Sequence, residues 1–434
     1  MVKIKPFKGL TYNTKKIKSL DDVMSPPYDI ISESMQNELY DKHEYNFVRL
    51  ILGKQYPTDS DQDNRYTRAK KLFDEWQRTG VLVDSPQESI YPYRIDYKVK
   101  GVKKTFNGFF TLLRLDPEYK EVKAHEKTLA KPKADRLNLM RACHANLEPI
   151  ELLYMDEEDK IQGLINESLD EPVISVKGYD GFKHSMWCIN NEKTVNRIID
   201  EFKHKVLFIA DGHHRYQTSV NYAAEIKEKT GNNDPDASFN YIMVVLTNMR
   251  HPGLSILPTY RLVKKPDLRL DVFLETMRGY FTVEEKKVKS KNHEKISRGI
   301  IKDIEPRRKE HKFAMYHDKK YYVFTLKDEG VMDELAGDHS KTWRTLDVSI
   351  LHKLILEKGL GINDANIEEH VKYTKNESEA IKVVDEGLYN VSFLINPTRI
   401  EELKAIADEK EYMPQKSTYF LPKMLSGLVM YKMQ

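Results

Sequence analysis

Asp211-Gly212-His213-His214-Arg215 gathers a carboxylate, two imidazoles and a guanidinium around one glycine. The apolar run Val206-Leu207-Phe208-Ile209-Ala210 before it has the character of a short buried strand. After it, Tyr216, Val220, Ala223, Ala224 and Lys227 recur at helical spacing, and Gly231 supplies a stop. The pentapeptide therefore belongs to a strand–helix junction, where backbone N–H groups and the positive end of a helix dipole face outward together. Gly212 allows a ligand close to the backbone, and Arg215 offers an oxyanion two parallel hydrogen bonds. Phosphate suits that set best. A plain Asp-Gly turn with Asp211 as helix N-cap is the architectural alternative. Cations at a helix N-terminus oppose the dipole, however, so helix stability does not account for the histidines and the arginine.

Three further stretches carry functional groups. Ala124-His125-Glu126-Lys127-Thr128 leads on to Lys131, Lys133, Asp135 and Arg136. A carboxylate among cations suits a general base, and equally a surface salt-bridge cluster. The His-Glu pair opens like the zinc-protease helix motif, but position 129 is leucine, which removes that reading. Between Pro414 and Pro422, Lys416, Ser417 and Thr418 form a set able to donate several hydrogen bonds to a phosphate. Ser25-Pro26-Pro27-Tyr28-Asp29 is stiff and extended, a wall able to hold Pro27, Tyr28 and Asp29 in place.

The elements that must position these groups follow from pattern. Tyr241–Thr247 is the most strand-like run, and the polar loop after it carries Arg250. Ile90–Ile95 and Thr105–Leu115 predict an antiparallel pair turning at Lys100-Gly101. Tyr66–Thr79 reads as an amphipathic helix closed by Gly80, and Tyr45–Leu52 as a strand. Leu137–Leu147 reads as a helix, Pro149–Tyr154 as a strand and the acidic stretch 156–170 as a surface helix. After Pro266 the chain grows richer in lysine, with a hairpin over Phe313–Leu326, a helix over Leu346–Leu356 and a strand at Val391–Ile395. The expected division is 1–265 as a nucleotide-binding and catalytic region, 266–410 as an accessory α+β domain and 411–434 as a segment returning to the active site.

The chain has 434 residues, enough for two or three domains. Its 70 Lys+Arg against 67 Asp+Glu argue against nucleic acid or an anionic membrane as the main partner. Two cysteines, Cys143 and Cys188, exclude a disulfide framework and a cysteine-rich metal site. No apolar run approaches the roughly 20 residues of a membrane helix, and the N-terminus lacks a signal-peptide core, so the cytoplasm is the expected location.

The pentapeptide resembles the phosphate-binding signature of the free serine kinases, within the ParB/sulfiredoxin superfamily. His125-Glu126 resembles the segment carrying that family's catalytic glutamate, and Pro414–Thr418 its closing Pro-Lys-Thr-Thr-like segment. Through Ser25–Asp29, His125–Thr128 and Pro258-Thr259 the chain also looks like a widespread family of unknown function sharing the loop. Where sulfiredoxins place a reactive cysteine this chain has His213, and where ParB-type CTP switches have Glu-Arg-Arg it has His-His-Arg.

The resemblance implies an α/β (mixed α+β) fold with a ParB/sulfiredoxin-like mixed-sheet core and an additional α+β domain. It implies phosphoryl transfer from ATP or ADP to the hydroxyl of free L-serine or a similar small acceptor. Gly212, His213, His214 and Arg215 would bind the donor phosphates, with Lys416, Ser417 and Thr418 neutralising the transferred group. Glu126 would be the base, and Asp211 a catalytic residue orienting Mg²⁺ or its waters. Pro27, Tyr28, Asp29, His125 and Arg250 are the candidate acceptor contacts. The alternatives are a non-catalytic nucleotide switch of ParB type and a metal-dependent hydrolase built on His125, Asp211, His213 and His214. Adjacent helical histidines point about 100° apart, which disfavours the hydrolase.

Overall fold

In a computed structural model the chain is a mixed α/β protein that divides into two compact units. The structure describes residues 1–126, 130–305 and 310–433, with Ala130 and Lys131 by backbone alone. Unit 1 comprises Met1–Ala124, Thr128–Ser255 and Pro422–Gln434; unit 2 comprises His125–Lys127 and Ile256–Leu421. The expected divisions lay instead at 265/266 and 410/411.

Unit 1 is built on a nine-stranded sheet. Its strands are β1 (Ile4–Lys5), β2 (Tyr91–Val99), β3 (Val102–Arg114), β4 (Val122–Lys123), β5 (Ile150–Tyr154), β6 (Ile174–Lys177), β7 (Lys183–Met186), β8 (Leu207–Asp211) and β9 (Tyr241–Asn248). The order is β4-β8-β5-β9-β3-β2-β7-β6, with β1 added to β3. β8 runs parallel to β4 and β9 parallel to β5, while the other pairs are antiparallel. The β2–β3 hairpin turns at Lys100 (φ 48°) and Gly101 (φ 84°), the doubly left-handed geometry that matches strand twist. The central strands β5 and β9 are buried at every residue, which is why their sequences read as near-continuous apolar runs.

Helices α1 (Arg65–Arg78), α2 (Ala130–Cys143) and α4 (His213–Thr230) pack on one another in series, α2 in the middle. Helix α3 (Glu192–Phe202) has the stripe Val195, Ile198 and Phe202, and Phe202 meets Phe109 and Tyr154 edge to face. No helix among the described residues is long and apolar enough to cross a membrane.

Unit 2 carries a six-stranded sheet of β10 (Tyr260–Val263), β11 (Phe281–Lys287), β12 (Lys312–His317), β13 (Lys320–Leu326), β14 (Val371–Thr374) and β15 (Val391–Leu394). The order is β11-β13-β12-β15-β10-β14, antiparallel throughout. Helix α6 (His293–Ile304) and helix α7 (Glu377–Asp385) cover one face, burying Ile300, Ile304, Ala380 and Ile381 against Leu262, Val323 and Leu394. Helix α5 (Leu270–Tyr280) places Phe273 against Phe324 and Phe393, which alternation puts on the other face.

Three local expectations are corrected. Val48–Ile51 within Tyr45–Leu52 is a helical turn. Asn46 explains it: its amide donates to the carbonyls of Asp22 and Met24, and its side-chain oxygen accepts from Val48 N–H at 3.1 Å, starting the turn. The helix expected at Leu137–Leu147 ends at Cys143, and Ala145–Asn146 pairs as a strand with Tyr431–Lys432. The acidic helix shortens to Lys160–Asn166 and buries Ile161, Leu164 and Ile165 rather than lying free on the surface.

The Asn248–Leu254 loop is pressed onto β3. A Cβ on Gly253 would sit 1.7 Å from the Thr105 carbonyl oxygen. Gly253→Ala should therefore destabilise unit 1 by about 1–3 kcal/mol, read as a lowered denaturation midpoint.

Candidate functional site

The site begins with an irregularity in the sheet. In the β8–β5 pairing Ile209 lies opposite Leu152 and Asp211 opposite Glu151, so Ala210 is an extra, bulged residue. Regular alternation would put Asp211 on the same face as Ile209. The bulge turns it to the face of Glu151 instead.

Gly212 follows with φ +94°, and it is Gly212, not Asp211, that caps α4. A Cβ there would approach the Arg215 guanidinium at 3.1–3.2 Å as well as occupy left-handed backbone. The first intrahelical bond runs from Tyr216 N–H to the Gly212 carbonyl at 2.9 Å. The amides of His213, His214 and Arg215 thus belong to the first turn, which helix bonding leaves over. At the far end Gly231, φ +66°, closes the helix on Lys227.

Asp211 anchors an ion network. Lys423 donates to its Oδ1, and Arg215 Nη2 donates to its Oδ2 at 2.6 Å. Arg215 Nη1 donates to the Pro149 carbonyl. The three side chains are 20%, 8% and 12% exposed, Asp211 first, then Lys423 and Arg215. Burial on its own would raise the Asp211 carboxyl; Lys423 and Arg215 outweigh it and hold the group well below the usual carboxylate range. His213 is buried, and desolvation pushes its imidazole down to about 3 against the opposing pull of Asp211. Glu151 is buried, and desolvation followed by the charge of Asp211 pushes its carboxyl up to about 8.

Pro27 and Tyr28 join the same unit's network. Tyr28 N–H donates to Glu148 Oε1 at 3.0 Å, and the Ser426 hydroxyl donates to the same oxygen at 3.0 Å. Arg136 Nη1 reaches Glu148 Oε2 at 3.4 Å while its guanidinium lies 3.9 Å from the Tyr28 ring centre. Glu148 is raised by burial and pulled back by Arg215 and Arg136. Pro27, Glu151, Asp211, Arg215, Lys423 and Ser426 line a cavity of about 10 Å³. Asp29 is exposed, and Arg250 lies outside this network, its guanidinium 3.6 Å from Glu157 on the surface.

The other predicted residues belong to unit 2. His125 is buried, with Nε2 3.3 Å from Thr418 Oγ1, and its carbonyl accepts from Met413 N–H at 2.8 Å. Glu126 forms a parallel bridge with Met413. The Ser417 hydroxyl donates to the Pro414 carbonyl, and Lys416 is exposed with φ +56°. The structure thus unites His125-Glu126 with Pro414–Thr418, and separately Pro27-Tyr28 with Asp211–Arg215. Lys127 and Thr128 lie outside the described residues.

Glu148, Glu151, Arg136, Lys423 and Ser426 were not among the predicted site residues. A signal existed for Glu151: Ile150-Glu151-Leu152-Leu153 sets a carboxylate inside an apolar strand, where charge is rarely tolerated without a partner. The expected magnesium role of Asp211 meets a difficulty in the donor set. Both of its oxygens already accept from cations, and among the described residues no group of three or more His, Cys, Asp and Glu side chains could hold a metal. These residues do not fit a directly held ion.

Fold and site define a mixed α/β protein with a charged network at a strand–helix tip. The chain belongs to the family described as "Protein of unknown function (DUF1015)", whose model matches residues 4–349. No curated protein matches it. Among solved structures, a free serine kinase in complex with AMP is similar at 14% identity, covering 74% of this chain and 92% of that one with a TM-score of 0.34. A conserved hypothetical protein from Pyrococcus furiosus is 14% identical, with 74% and 95% covered and a TM-score of 0.33. C-terminally truncated SbnI from Staphylococcus aureus is 12% identical, with 74% and 86% covered and a TM-score of 0.34.

Two outcomes follow from this geometry. Gly212→Ala should cost about 1–3 kcal/mol of stability by forcing a side chain into left-handed backbone, measured by chemical denaturation. His213 should make the protein acid-sensitive. Its unfolded imidazole takes a proton near 6.5 and the folded one only near 3, so stability is kept above about 6.5 and falls as the pH drops through that window. His213→Gln should show a shallower decline in melting temperature across the same range.

Proposed function

We propose that this protein is a kinase transferring a phosphoryl group from ATP or ADP to the hydroxyl of free L-serine. The acceptor oxygen forms a bond to phosphorus, the bond to the leaving nucleotide oxygen breaks, and the hydroxyl proton passes to Glu126. The first-turn amides after Gly212, those of His213 and His214 among them, receive the donor phosphates. Arg215, fixed by Asp211 and Pro149, contributes its charge from a set position. Lys416, Ser417 and Thr418 stabilise the transferred group. Pro27, Tyr28, Asp29, His125 and Arg250 are the candidates for holding serine. Magnesium enters as the nucleotide's own counter-ion, part of the donor substrate.

One observation carries the reading. His125 and Thr418 are 293 positions apart, yet their side chains approach to 3.3 Å while Glu126 bridges to Met413. The resemblance to free serine kinases calls for that pairing of a base-bearing segment with a Lys-Ser-Thr segment. The strand–glycine–helix tip at Asp211–Arg215 supports the phosphate role independently.

The test is to incubate the protein with nucleotide, Mg²⁺ and each amino acid in turn and follow phosphorus by NMR. O-phosphoserine should form with serine; no turnover with serine removes the substrate claim. Glu126→Gln should lower kcat by about 10²–10⁴-fold with nucleotide affinity kept. An active Glu126→Gln enzyme would assign the base elsewhere.

A further inference from the structure

Glu151 has no part in the mechanism above, yet its setting is unusual. It is 2% exposed, lies directly across the sheet from Asp211, and its Oε1 has no hydrogen-bond partner. Its side chain lines the cavity beside Asp211, Arg215 and Lys423, whose volume of about 10 Å³ is close to that needed by a single water. The ionisable groups around it are Asp211, Arg215 and Lys423, and its charge also reaches the phenols of Tyr93 and Tyr97 on β2, three strands along the sheet.

Among the groups hydrogen-bonded at Asp211 the charges do not cancel while Glu151 keeps its proton. Asp211 is one carboxylate facing two cations. Glu148 also faces Arg215, but it makes no hydrogen bond to it and shares its charge with Arg136 and the Tyr28 and Ser426 donors.

We infer that Glu151 is a positioning residue that sets how strongly the Asp211–Arg215 loop holds a phosphate group. With its proton on, it leaves Arg215 and Lys423 a surplus positive charge for the incoming anion. With its proton off, it competes for Lys423 and cancels that surplus. The inference rests on the reading of the loop as a phosphate site. Glu151 touches no reacting atom and acts only through the two cations.

Burial and the charge of Asp211 place the change-over at about 8. An anion on the loop and a proton on Glu151 must then each favour the other, because the coupling is reciprocal. Raising the pH through that value should weaken phosphate binding, and lowering it should restore binding.

The experiment measures the affinity of the full chain for ADP with Mg²⁺ by titration calorimetry, from about pH 6.5 to about pH 9.5. The wild type should lose affinity about tenfold between roughly pH 7 and roughly pH 9. Glu151→Gln, which keeps the shape of the neutral acid, should hold the wild-type value of pH 7 throughout. A purely structural role would not move the pH profile in this way. A pH-independent wild type, or a Glu151→Gln variant with the wild-type slope, overturns the inference and leaves the phosphate reading intact. No ADP binding at any pH overturns both. Should the variant fail to fold, infrared spectroscopy of the wild type decides: a protonated-carboxyl band lost between those two pH values supports the inference, and its absence at neutral pH overturns it.

Discussion

The double ion pair on Asp211 is the constraint on which unit 1's loop depends. A largely buried carboxylate is costly unless it is paired, and removing one partner from such a pair typically costs about 3–5 kcal/mol. Here the partners come from opposite directions in sequence. Arg215 is one helical turn away, while Lys423 lies 212 positions downstream. The local pair fixes the turn. The distant one fixes where the turn meets the segment 422–434.

That arrangement explains several features that look separate. The bulge at Ala210 is needed to bring Asp211 onto the face of Glu151. The left-handed glycine is needed because the chain must reverse into α4 while Arg215 folds back over it. His213 is then forced inward, where desolvation keeps it neutral and removes a positive charge from the helix N-terminus. The objection that cations should not crowd a helix start is thereby met in part: one imidazole is uncharged, and Arg215 is paired with Asp211.

How much of this was legible in the sequence depends on the range of the interaction. The strand–glycine–helix order around Gly212 could be read because each signal is local: an apolar run, a glycine, a helical period. The β2–β3 and β12–β13 hairpins were legible for the same reason; Asp318 and Lys319 both have positive φ in the second. Tyr45–Leu52 misled because a short apolar run has no period long enough to separate strand from helix, and Asn46 decided the matter through contacts with Asp22 and Met24. Lys423 was invisible as a partner of Asp211, since nothing local distinguishes it from other lysines. Glu151 was visible as an anomaly, though its cause was not.

The discontinuity of unit 1 has a consequence for how the polypeptide is made. Residues 422–434 complete the unit: Met430 pairs with Leu10, Tyr431 with Asn146, and Lys423 with Asp211. All of unit 2 precedes this segment in the chain and must emerge from the ribosome before it does. A nascent chain therefore carries the Asp211–Arg215 pair without Lys423 until residue 423 has been made, and such long-range closure is intrinsically slow. Assembly of the charged tip is thus gated on translation having passed through all of unit 2.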